Sequence, residues 1–118
     1  MRNQCIAVVE DDESIMDIVQ LLLTDEGYQV VTAETELDLD SLPKLPDLII
    51  LDNWLGLKSG HDICVSLKHN PVTSEIPVIL MSAVNDLESI AADCKADMYI
   101  SKPFDIKEFL DAVNNILS

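Results

Sequence analysis

A chain of 118 residues is the size of one domain and long enough to bury one sizeable core. Its balance of 48% apolar and 25% charged residues is that of a globular chain and excludes disorder. The net charge of -15, from 22 acids against 7 scattered bases, opposes direct contact with nucleic acid, and no apolar run approaches the roughly 20 residues of a membrane span.

The chain opens on Met1 to Gln4 without signal-peptide architecture, so a cytoplasmic protein is expected. A β-branched run, Ile6 to Val9, predicts the first strand. Ile15, Ile18, Val19 and Leu22 then recur at helical spacing, and Gly27 supplies the stop. Val30-Val31 predicts a second strand, followed by a weakly marked helix near residues 34–41 that Pro43 and Pro46 confine. Leu48 to Leu51 is the third strand, and a helix from near Ser59 to before Pro71 carries Ile63 and Leu67. Val78 to Met81 and Met98 to Ile100 complete the strands, with a short helix over 86–94 between them. The last helix shows an apolar face of Ile106, Phe109, Leu110, Val113 and Leu117, and Asp105 with Glu108 resembles a capping box at its start. Unbroken apolar strands alternating with helices predict an α/β fold: five parallel strands, doubly wound, in three layers. Cys5, Cys64 and Cys94 lack any paired spacing and are expected to be reduced and buried.

In such sheets ligands bind beyond the carboxyl ends of the strands. Glu10, Asp11 and Asp12 follow the first apolar run, Asp52 the third, Ser82 the fourth and Lys102 the fifth. Carboxylates gathered this closely repel one another unless a cation lies among them, and hard oxygen donors favour Mg²⁺. A carboxylate beside that metal is a nucleophile toward phosphorus, with Lys102 and the metal neutralising the phosphoryl oxygens. No glycine-rich phosphate loop occurs. Each residue alone has a plainer reading, as a strand-end acid, a helix cap or a solvated lysine. Their shared edge favours the site.

These residues resemble a known family. Val8 to Asp12, Pro46 to Asp52, Gly60 eight residues further on, Ile76 to Ala83 and Lys102-Pro103-Phe104 are similar to the receiver domains of two-component response regulators, over essentially the whole chain. The resemblance implies a flavodoxin-like fold, with residues 1–118 a single receiver domain and no output domain. It implies that Asp52 accepts a phosphoryl group from a phosphohistidine. Asp11 would ligate Mg²⁺ directly, Glu10 through water, and Trp54 through its backbone carbonyl. Ser82 and Lys102 would contact the phosphoryl group, and Tyr99 would be the switch aromatic. A sensor histidine kinase or phosphotransfer protein is implied upstream and an effector protein downstream, with a phosphorylation-linked homodimer as a further option. Asp12 fits best as a helix cap.

Four departures from the family pattern stand out. Gly56 replaces a usual proline, Ser82 a commoner threonine, and Lys95 a customary glycine, while the Ser82–Lys102 connection is slightly short. The helix between them is therefore expected to be short or reshaped. Trp54 and Val84, two residues beyond Asp52 and Ser82, cannot orient an attacking water, so the phosphoaspartate should be long-lived. Its decay, followed by intact mass, should quicken when Trp54 is replaced by a small polar residue; decay within seconds that ignores this change would sink the expectation. Two rivals are a degenerate receiver that only binds proteins and a Mg²⁺-dependent aspartyl phosphohydrolase. The latter wants a second aspartate where Trp54 stands.

Overall fold

The computed structural model describes residues 4–10, 12–33, 42, 44–52, 54–55, 58–82, 87–102 and 104–118, with the backbone alone at 54, 55 and 58. In chain order the elements are β1 (Cys5–Val9), α1 (Glu13–Asp25), β2 (Gln29–Ala33), β3 (Leu48–Asp52), β4 (Trp54–Leu55), β5 (Lys58–Ser59), α2 (Gly60–His69), β6 (Val78–Ser82), α3 (Leu87–Cys94), β7 (Met98–Ser101) and α4 (Ile106–Leu117). The helix expected near 34–41 lies outside the described residues. All pairings in the main sheet are parallel, in the order β2-β1-β3-β6-β7. The chain therefore reverses its direction of winding between β1 and β3, the switch point where ligands of such sheets bind.

Strand alternation splits the core into two. Ala7, Val9, Ile49, Leu51 and Leu80 pack against Ile63, Leu67, Leu87 and Ala91 on one face. Ile6, Val8, Leu48, Ile50 and Met81 pack against Val19, Leu23, Phe109 and Val113 on the other. Strands β1, β3 and β6 are buried from end to end, which is why they read as unbroken apolar runs. Full burial of a side chain such as Phe109 is worth about 1.5–3 kcal/mol.

The two expected stripes hold except at their margins. On α1 the buried residues are Val19 and Leu23, while Ile18 is exposed; on α4 they are Phe109, Ala112 and Val113, while Ile106 is exposed. The caps follow the sequence. Asp12, Ser59 and Asp105 each accept a hydrogen bond from the backbone N–H three residues on, at 3.1 Å. The antiparallel ribbon β4–β5 was not expected. Helix α3 has only eight residues, matching the short connection, and Lys95 after it holds φ 63°. A glycine takes that left-handed backbone without steric cost, whereas a side chain costs roughly 1–2 kcal/mol.

His61 on α2 ties this short helix in place. Its Nε2 lies 2.7 Å from Asp93 Oδ2 on α3, and its Nδ1 lies 3.4 Å from Asp62 Oδ1. The Asp93 carboxylate raises the imidazole pKa, against a partial desolvation that lowers it, and Asp62 adds to the rise. With the folded pKa above an unfolded value of about 6.5, the tie is complete at lower pH and is lost as pH rises through the folded pKa. His61→Ala should cost up to about 1 kcal/mol near pH 5.5 and nothing near pH 9, by urea denaturation. An equal cost at both would show that packing, not charge, is lost.

Candidate functional site

The carboxyl ends of β1, β3, β6 and β7 bring together residues that lie far apart in sequence. Glu10 follows β1, Asp52 ends β3, Ser82 ends β6, and Lys102 follows β7. Lys102 Nζ donates to Asp52 Oδ1 at 2.9 Å and reaches Glu10 Oε2 at 3.3 Å. The backbone positions the lysine too, because its N–H donates to the Ser82 carbonyl at 2.9 Å, continuing the β6–β7 ladder. Glu10 is held from its other oxygen: Oε1 accepts the Asp12 N–H at 3.1 Å. Asp12 therefore serves both as the α1 cap and, through its backbone, as a support for Glu10.

Three of the four polar groups at the strand ends are buried. Glu10 is 5% exposed, Asp52 9% and Ser82 3%. Burying a carboxylate costs several kcal/mol unless it is paired. Two carboxylates here share one ammonium, and Glu10 bears the shortfall. Burial pushes the Glu10 carboxyl up to about 7, the Asp12 N–H opposes this, the Asp52 charge adds to it, and Lys102 pulls back. On Lys102 burial pulls the pKa down, but the two carboxylates outweigh it and the pKa is raised, so the ammonium stays charged.

Excess negative charge on hard oxygens, buried at a strand edge, fits a small divalent cation such as Mg²⁺. Glu10 and Asp52 are the carboxylates in place to hold it. Among the described residues they are only two, and no group of three potential ligands forms. Asp11, the ligand expected to bind directly, lies outside the described residues, as do Gly56 and Val84. Trp54 is placed by its backbone in β4, two residues beyond Asp52. Tyr99 lies on the edge strand β7 at 41% exposure, so it is not a core aromatic. His69 is remote from the edge and bonds the Val65 carbonyl. All three cysteines are free and buried.

The chain is thus a doubly wound parallel α/β domain with two buried acids and a lysine gathered at its switch point. The sequence matches the model of the response regulator receiver domain over residues 6–114, and the chain belongs to this family. It is 34% identical over 116 residues to the DNA-binding dual master transcriptional regulator RpaA of Synechocystis sp., covering 95% of this chain and 48% of that protein. The chain thus spans about half the length of the curated relatives it matches. Among solved structures it is similar to the BeF3-activated DrrB receiver domain, at 31% identity and TM-score 0.86 over 98% of both chains. The receiver domain of the sensor histidine kinase PA1611 from Pseudomonas aeruginosa, with a magnesium ion in its active-site cleft, shares the fold at TM-score 0.86 and 20% identity, over 99% of this chain and all of that one. The chain is therefore a receiver domain of two-component signalling. No helix among the described residues is long and apolar enough to cross a membrane.

Proposed function

We propose that Asp52 is the phospho-acceptor of a cytoplasmic phosphorelay, taking its phosphoryl group from the phosphohistidine of a sensor kinase or phosphotransfer protein. The observation that carries this is the Lys102 ammonium held between Asp52 and Glu10, at 2.9 and 3.3 Å, in a buried cluster at the switch point. A carboxylate oxygen of Asp52 attacks phosphorus as the P–N bond breaks, and the imidazole leaves with the bonding electron pair. Lys102 stays protonated and turns from the carboxylates toward the incoming phosphoryl oxygens. Asp11, Asp52 and the Trp54 carbonyl, with Glu10 through water, would hold Mg²⁺, which would supply the remaining positive charge. Ser82, at the end of β6, offers its hydroxyl to a phosphoryl oxygen, and Tyr99 on the neighbouring strand β7 carries the change to the surface. The only chemistry in this reading is the domain's own phosphorylation and dephosphorylation.

The test is an NMR titration with beryllofluoride, a mimic of the phosphoryl group. Amide shifts should move at Ser82, Tyr99 and Lys102 when Mg²⁺ is present and stay still in EDTA. No response with Mg²⁺ would favour an inert protein-binding module. Steady release of phosphate from a generic ester would favour the phosphohydrolase.

A further inference from the structure

We infer that Cys64 and Cys94 are a redox-modification site, a thiol pair that a small hydroperoxide converts into an intrachain disulfide clamping α3 to α2. Sequence spacing does not announce the pair, because 30 positions separate its members. Folding brings them together. Both are buried, in the core on the side of the sheet that α2 and α3 cover. Cys64 Sγ donates to the backbone carbonyl of Cys94 at 3.3 Å, and the two thiols lie close enough to interact directly. Cys94 Sγ is turned back on its own helix, toward the Ala91 carbonyl at 3.6 Å. Cys5 stands apart at the start of β1, where Asp47 and Lys44 are its charged neighbours.

The seam is fastened on both sides of the pair. His61, Cys64 and Lys68 recur along α2 at i, i+3 and i+7, which is one face of a helix. They meet Asp93, Cys94 and Asp97 in the same order. His61 Nε2 lies 2.7 Å from Asp93 Oδ2, and Lys68 Nζ lies 2.8 Å from Asp97 Oδ2. Two polar ties thus bracket the thiols and fix the register of α3 on α2. Burial, and then the neighbouring Cys94 thiol, hold the Cys64 thiol well above its ordinary pKa, and only a thiolate is nucleophilic. The closed seam is therefore slow to react, and the pair responds when α3 lifts. At eight residues α3 is the shortest of the described helices, and Lys95 just after it holds φ 63°.

One thiolate attacks an oxygen of the peroxide, the O–O bond breaks, and a sulfenic acid forms as hydroxide leaves. The second thiolate attacks that sulfur and displaces its oxygen, which leaves as water. Two thiols and one peroxide give one disulfide and two waters. Because α3 lies between β6 and β7, the disulfide restrains the segment that connects Ser82 to the edge strand. The test treats the reduced full chain with hydrogen peroxide under native conditions, blocks free thiols in denaturant and maps the peptides by mass. A monomer lighter by two hydrogens is expected, with Cys64 linked to Cys94, Cys5 blocked, and the link reversed by dithiothreitol. Amide hydrogen exchange along α3 should slow about tenfold or more in the linked chain. Cys5→Ala should form the link to the same extent. No oxidation, a link to Cys5, a sulfur-bridged dimer, sulfinic acid in place of the link, a link formed only in denaturant, or unchanged exchange along α3 would each overturn the proposal.

Discussion

Asp52→Asn should abolish the mass increase of one phosphoryl group that acetyl phosphate and Mg²⁺ produce in the parent chain. The amide has no anionic oxygen to attack phosphorus, and among the described residues no other acid at the edge has the lysine so close. The loss should be complete within the detection of intact-mass spectrometry. The fold should survive, because the substitution conserves volume and removes one of two buried charges that share a single ammonium. Lys102 would keep its bond to Glu10, so the melting temperature should hold or rise. Continued phosphorylation of the variant to the parent's extent would place the acceptor elsewhere and contradict the proposed chemistry.

Lys102→Ala should be felt twice, once in stability and once in rate. Its ammonium is the only side-chain cation found within bonding distance of Glu10 and Asp52 among the described residues. Removing one partner of a buried ion pair leaves an uncompensated charge, for which the cost is about 3–5 kcal/mol. The lysine side chain is 16% exposed and water can partly replace it, which lowers the expected loss to about 2–3 kcal/mol in EDTA. Guanidinium denaturation measures it. The initial rate of phosphorylation should fall by about 10²–10³, the usual effect of losing one preorganised group that stabilises transferring charge. A variant as fast as the parent would mean that Lys102 only balances charge at rest.

Much of the site was legible before any coordinates because a parallel sheet converts sequence position into spatial position. Each apolar run ends where the next polar residue must face the same edge, so Glu10, Asp52, Ser82 and Lys102 converge although 92 residues separate the first from the last. What sequence patterns missed are features with no period. The ribbon of β4 and β5 has two residues per strand, too few for alternation to register. Ile18 and Ile106 lie at the margins of apolar stripes, where a small rotation of the helix decides between core and solvent. The His61–Asp93 and Lys68–Asp97 ties join elements whose facing residues depend on packing, and their partners are 32 and 29 positions apart. Tyr99 reads as apolar in a strand, and only the strand's place at the sheet edge puts it in solvent.

The central claim is that the phosphoryl group sits on Asp52. Borohydride reduces an acyl phosphate to the alcohol, so treating the phosphorylated chain with it should convert residue 52 alone to homoserine, read by peptide mass mapping. Conversion at any other acid, with Asp52 recovered unchanged, would contradict the account.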